Sequence, residues 1–191
     1  MGLVNAGHRV LQGEGGRGPV SGRPLILIDV DGVINVNAGP EAMRELRLNH
    51  GWRLRRVTLD GGPELVFYNP RAGEWLRQLA DLTGGELAWA TLRRGHANHG
   101  ISPLLGLGRL PVAPVLLEDP KAPRVVPWTQ GRPFVWFEDL AEECELADEL
   151  AGDQPHKMIR VDPRTGLTLQ DARSAARWLM SIAAARWPAG E

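Results

Sequence analysis

Lysine is almost missing from this chain. Arginine supplies nearly all the positive charge, and lysine occurs only at Lys121 and Lys157. In such a background each lysine is worth examining. Cysteine occurs once, at Cys144, which excludes an internal disulfide and fits a reducing compartment. Its neighbours Glu142, Glu143 and Glu145 form an acidic setting that raises a thiol pKa and argues against a reactive nucleophile. No apolar run approaches membrane-span length. Surplus charge is absent too: the formal net charge is -1, so no global attraction draws the chain to nucleic acid or an anionic membrane. A local basic patch is left open. Residues 1–22 are Gly-rich, carry His8, Arg9 and Arg17, and lack the continuous apolar stretch of a signal peptide. They read as a flexible leader on a cytoplasmic protein without a membrane partner.

What is present begins with Leu25-Ile26-Leu27-Ile28-Asp29-Val30-Asp31-Gly32. Four consecutive apolar residues without polar alternation read as a strand buried on both faces, as in the middle of a parallel sheet. At its end two carboxylates stand at i and i+2, followed by a glycine. Crowded acids at the carboxyl end of a central strand are costly unless a cation or a substrate compensates them. A strand ending in a plain Asx-rich turn is the bland alternative. A calcium loop fits poorly, because the positions that should hold Gly and Glu hold Ile34 and Pro40.

The rest of the chain alternates strands with helices. With 191 residues and a 43% hydrophobic fraction it suits one domain with a real core over residues 23–188. Trp52 to Leu59 and Glu64 to Tyr68 flank the turn signal Asp60-Gly61-Gly62-Pro63, predicting a hairpin flap within about residues 35–69. The apolar positions change parity between Leu54 and Val57, which predicts a bulge near Arg55-Arg56. A short helix is expected around Glu41 to Leu48. Asn69 as N-cap and Pro70 at the first helical position introduce a helix with Trp75, Leu76, Leu79 and Leu82 on its apolar stripe. Leu87 to Ala90 reads as a strand leading to Thr91. Ala97 to Leu105 reads as a helix broken at Pro103, and Arg109 to Ala122 as irregular. Phe134 to Phe137 is a third apolar strand, ending in Glu138-Asp139. An acidic helix over Ala141 to Ala151, a strand over Met158 to Val161 and a helix from Thr168 to Arg186 follow. This order predicts an α/β fold, a three-layer sandwich around a central parallel sheet. Neither inter-strand segment has room for a large cap domain.

In such a sheet the carboxyl ends of the strands share one edge, where ligands bind. Asp29, Asp31, Thr91, Glu138 and Asp139 are therefore expected to meet there. The pattern Leu25 to Gly32 resembles motif I of the haloacid-dehalogenase (HAD) superfamily, a Rossmannoid hydrolase family. Trp89-Ala90-Thr91 is similar to motif II, Lys121 to motif III and Trp136 to Asp139 to motif IV, although Glu138 stands where Asp is usual. The resemblance implies an Mg²⁺-dependent phosphatase, hydrolysing phosphomonoesters through an aspartyl-phosphate. It implies Asp29 as nucleophile, Asp31 as general acid and base, and Thr91 and Lys121 as phosphoryl-binding groups. It implies a metal held by Asp29, Asp31 (through its carbonyl), Glu138 and Asp139. Gly32, Thr91, Arg93, Arg94 and His96 are the expected substrate-binding residues. Each residue alone has a plainer reading: Thr91 as a strand-end threonine, Lys121 as a solvated lysine, Glu138-Asp139 as a helix cap, and the basic run Arg93 to His99 as a solvated face.

Trp89 to Thr91, His96 to Asn98, Gly131 to Pro133 and Arg160 to Thr168 resemble a bacterial HAD group related to the "Swiss-army-knife" RNA repair proteins. That resemblance implies a phosphorylated RNA end as a narrower substrate. Arg53, Arg55 and Arg56 on the hairpin could attract such a polyanion, with Trp52 as the best candidate for stacking on a base. A HAD-fold binding or regulatory protein without turnover is the reading of another class.

Overall fold

The computed structural model describes residues 22–59, 62–117 and 119–186. Apart from Gly22, the expected leader lies outside them, as do Asp60 and Gly61 of the hairpin turn. The central sheet has four parallel strands in the order β4-β1-β5-β6, formed by β1 (Leu25–Ile28), β4 (Glu86–Trp89), β5 (Phe134–Glu138) and β6 (His156–Arg160). The register sets Ile28 beside Trp89 on one side and Phe137 on the other, so three strands end level at one edge.

Side chains alternate across this sheet. Ile26, Ile28, Val135 and Phe137 join a core with α2 (Ala72–Thr83) and α6 (Leu169–Arg186). Leu25, Leu27, Phe134 and Trp136 join a second core with α4 (Ala122–Trp128) and α5 (Ala141–Ala151). The uninterrupted apolar run of β1 follows from this, because both faces are covered and all four side chains are fully buried. Each such burial stabilises the fold by about 1.5–3 kcal/mol. The result is the three-layer α/β sandwich with a small hairpin and, among the described residues, no large cap, as the sequence implies.

The hairpin pairs β2 (Arg53–Leu59) with β3 (Gly62–Tyr68), antiparallel and in unbroken register from Arg53 opposite Tyr68 to Leu59 opposite Gly62. No bulge forms at Arg55-Arg56. The parity change has another cause: the ribbon is covered on different faces at its two ends. Leu54 packs on a small cluster of Val36, Trp52 and Phe67, whereas Val57 and Leu59 turn to the main core. The exposed helix α1 (Pro40–His50) leans on the small cluster through Met43 and Leu46. It runs longer than expected and ends on Gly51 in the left-handed region (φ 70°).

Three other expectations change. Asn69 does not cap α2; its Oδ1 accepts from the Arg71 amide at 3.0 Å, so the turn closes first and the helix starts at Ala72. Leu82 is 61% exposed, at the edge of a groove between α2 and α6. Helix α4 was not anticipated because two of its seven residues are Pro123 and Pro127. Pro123 lies in the first turn, where a missing N–H costs nothing. The break near Pro103 is present: α3 (His96–Gly100) gives way to a 3-10 turn over Ser102–Leu105. At the start of α6, Thr168 and Asp171 cap each other's amides (2.9 and 3.2 Å). Among the described residues no helix is long and apolar enough to cross a membrane.

Candidate active site

Five side chains converge at the carboxyl edge of the sheet. Asp29 follows β1 and is 5% exposed. Its Oδ1 accepts from the Val30 amide at 2.7 Å and its Oδ2 from Lys121 Nζ at 2.8 Å, and the nearby Thr91 hydroxyl favours its charged form. Thr91 follows β4 and is fully buried. Glu138, the last residue of β5, accepts from the same ammonium at 2.6 Å through Oε2. Lys121 thus bridges two buried carboxylates from neighbouring strands. Its own backbone is anchored by a residue the sequence reading missed. Glu143, on α5, accepts from the amides of Lys121 (2.7 Å) and Ala122 (3.0 Å) at the start of α4. No sequence signal marked Glu143, which looks like one more acid in an acidic helix.

Asp139 completes the cluster. Its side chain packs against Gly32, whose φ of 75° lies in the left-handed region; a Cβ at Gly32 would collide with the Asp139 carboxylate. Asp29, Glu138 and Asp139 each offer an oxygen, all within 4.8 Å of one another.

The electrostatics show a surplus of negative charge. Burial pushes the Asp29 carboxyl above its usual range, although Lys121 and Thr91 pull against it. Burial and the nearby Asp29 charge push Glu138 up to about 8, again against Lys121. Burial also raises Asp139. For Lys121, burial opposes the charged form, but Asp29 and Glu138 outweigh it and the ammonium is held charged. Three carboxylates face one ammonium, so full ionisation leaves two unbalanced charges in a largely dry site. A divalent cation with a preference for oxygen ligands matches that deficit. Asp29, Glu138 and Asp139 are the residues that would hold it.

Asp31 takes a different direction. Both its carboxylate oxygens are gripped by Arg93, from Nε at 2.8 Å and from Nη2 at 3.2 Å. Asn35 Nδ2 adds a third donor at 3.2 Å. Its side chain therefore stands apart from the three-acid cluster, yet it lines the same cavity. That cavity, about 420 Å³, is bordered by Asp29, Asp31, Gly32, Lys121 and Asp139 on its polar side and by Leu92, Leu140 and Pro163 elsewhere. Cavities of similar or greater size border α1 and α2 but contain none of these acids.

Arg94 and His96 are exposed and do not line the cavity. Arg53, Arg55 and Arg56 are exposed on the hairpin and also lie outside the lining. Trp52 is 6% exposed and packs its ring on Phe67 at 5.2 Å between centroids. It is a core residue, not an open stacking platform. The Cys144 thiol is pushed up to about 11, chiefly by burial and then by Glu138 and Asp148.

No protein-family model matches the chain, and no curated protein matches its sequence. Its fold does match solved structures. The HAD domain of the effector protein Lem4 from Legionella pneumophila, in an inactive mutant, superposes with a TM-score of 0.53 at 9% identity, covering 87% of this chain and 98% of that one. A second structure of that domain gives 0.52 at 12% identity, covering 84% and 97%. The chain has the HAD-like fold.

Proposed function

We propose that this protein is a HAD-type phosphatase that hydrolyses a phosphomonoester with Mg²⁺, through an aspartyl-phosphate on Asp29. One observation carries the reading. Asp29, Thr91, Lys121, Glu138 and Asp139, drawn from distant parts of the sequence, meet around one surplus of negative charge, and Asp29, Lys121 and Asp139 border a cavity. When bound, the cation supplies positive charge that offsets the repulsion between a phosphate dianion and the nucleophilic carboxylate.

The chain's own groups have these roles. The Asp29 carboxylate attacks phosphorus; an oxygen–phosphorus bond forms to Asp29 as the ester oxygen–phosphorus bond breaks. The Asp31 carboxyl gives its proton to the leaving oxygen, so an alcohol departs. Asp31, now a carboxylate, takes a proton from a water that attacks the phosphoryl group. The bond to Asp29 breaks, and inorganic phosphate and free Asp29 result. Lys121 stays charged throughout and stabilises the negative charge on Asp29 and the phosphoryl oxygens. The backbone anchor from Glu143 holds it in place, and the Thr91 hydroxyl orients Asp29.

The test is turnover of a generic aryl phosphate with Mg²⁺. Wild type hydrolyses it, and Asp29→Asn loses hydrolysis with little change in melting temperature. An unaltered rate in Asp29→Asn refutes the assignment. Mg²⁺-dependent binding of beryllium fluoride without turnover on any ester would instead identify a binding protein. A second reading, a phosphatase for nucleic-acid ends, is favoured by Arg53, Arg55 and Arg56. All three are exposed, and none has an ion-pair partner among the described residues. It requires affinity for phosphorylated oligonucleotides that falls steeply with salt.

A further inference from the structure

The hairpin reaches the reacting groups through Arg93. This arginine does not line the cavity, and its side chain is only 21% exposed. It joins three segments: Asp31 from the loop after β1, its own loop after β4, and Glu64 on β3, whose Oε1 accepts from Arg93 Nη1 at 2.7 Å. A second tie runs the same way. Asn35 donates to Asp31, and its Oδ1 accepts from the Phe67 amide on β3 at 3.0 Å. Asp31 is therefore oriented from two directions by groups that the hairpin holds.

Stability alone does not account for this arrangement. Asp31 is 47% and Glu64 33% exposed, and ion pairs so open to solvent contribute little to stability. A two-point grip of a planar guanidinium on a carboxylate fixes direction more than it adds energy. The grip leaves nearly half of the Asp31 side chain open, and Asp31 borders the cavity beside Asp29.

We propose that Arg93, held by Glu64 of the hairpin, is a positioning residue that aims the Asp31 carboxyl at the ester's leaving oxygen. The proposal rests on the phosphatase reading, with Asp31 as proton donor. As the ester bond breaks, the proton moves from Asp31 to the leaving oxygen and Asp31 becomes a carboxylate; Arg93 neither gains nor loses a proton. Without Arg93 the Asp31 carboxyl loses its two-point hold and no longer keeps its direction.

The consequence depends on the leaving group. An acidic phenol leaves without help, whereas an alkoxide must be protonated. kcat/KM reports the first chemical step, so its dependence on leaving-group acidity separates positioning from other roles. For Arg93→Met we expect a loss of about tenfold or more with an alkyl phosphate, against less than about threefold with 4-nitrophenyl phosphate. Arg93→Lys should recover part of the alkyl rate, and Glu64→Gln should show the same selective loss, smaller in size. An equal loss on both esters, or none, overturns the proposal while leaving the phosphatase reading intact. An unchanged selectivity in Glu64→Gln overturns the role of the hairpin. Absence of turnover in the wild type, or its survival in Asp29→Asn, removes the phosphatase reading and this proposal with it.

Discussion

Replacing Lys121 by Met probes the electrostatics of the site most sharply. The ammonium touches Asp29 at 2.8 Å and Glu138 at 2.6 Å, and all three side chains are at most 7% exposed. Breaking such a buried pair by removing one partner costs about 3–5 kcal/mol. A second route gives the same size. Without Lys121 the carboxylates must take up one more proton on folding, which costs about 1.4 kcal/mol for each pH unit above an ordinary carboxyl pKa. With the unfolded Asp29 value at 3.8, that is roughly 4 kcal/mol at pH 7 and roughly 2 kcal/mol at pH 5. The folded variant then binds one more proton than the unfolded chain, so its unfolding free energy falls as pH rises. Lys121 itself, raised above its ordinary value of 10.5 by Asp29 and Glu138, stays charged over this window and its contribution is fully present. The assay is urea unfolding of Lys121→Met and wild type at several pH values in EDTA. The loss should grow with pH, at most by about 1.4 kcal/mol per unit, and saturating Mg²⁺ should recover part of it. A pH-independent loss below about 1 kcal/mol would refute the charge accounting.

Two further outcomes follow from the same residues. Glu138, up at about 8 in the metal-free protein, gives stability that is present below the ordinary carboxyl range and is lost as pH rises through 8. A bound cation must displace its proton, so Mg²⁺ affinity should rise by up to about tenfold per unit between pH 6 and 8. Calorimetry in buffers of different protonation enthalpy should register the released proton, whereas pH-independent affinity contradicts the assignment. Gly32→Ala places a Cβ at φ 75° and against Asp139. It should cost more than about 1 kcal/mol in unfolding experiments and weaken Mg²⁺ binding; a variant that binds and melts like wild type contradicts the close approach.

The layered fold was legible because burial on both faces of β1 leaves an unbroken apolar run, and because level parallel strands bring Asp29, Thr91 and Glu138 to one edge. The scarcity of lysine marked Lys121, which the folded chain carries to that edge. Other features left no local trace. Glu143 acts through its reach across to α4. Arg93 meets Asp31 and Glu64 only after the hairpin folds over the loop behind β1. Two prolines concealed α4: Pro123, in the first turn, is as compatible with a loop as with a helix, and Pro127, inside it, argues against a helix. The parity change in β2 reflects coverage by two different apolar clusters, which a pattern within one strand does not distinguish from a bulge. Trp52 was misjudged for a related reason: an aromatic beside a hairpin is exposed only if nothing else packs there, and Phe67 does.

The central claim, that Asp29 carries the phosphoryl group, is open to direct observation. Asp31→Asn should retain attack by Asp29 on an ester with a good leaving group but slow the release of phosphate. Mixing it with a radiolabelled aryl phosphate and Mg²⁺, quenching in acid and digesting should place the label on the peptide that contains Asp29, with none when Asp29 is also changed to Asn. Label on another peptide, or steady hydrolysis with no labelled peptide at all, would contradict the account.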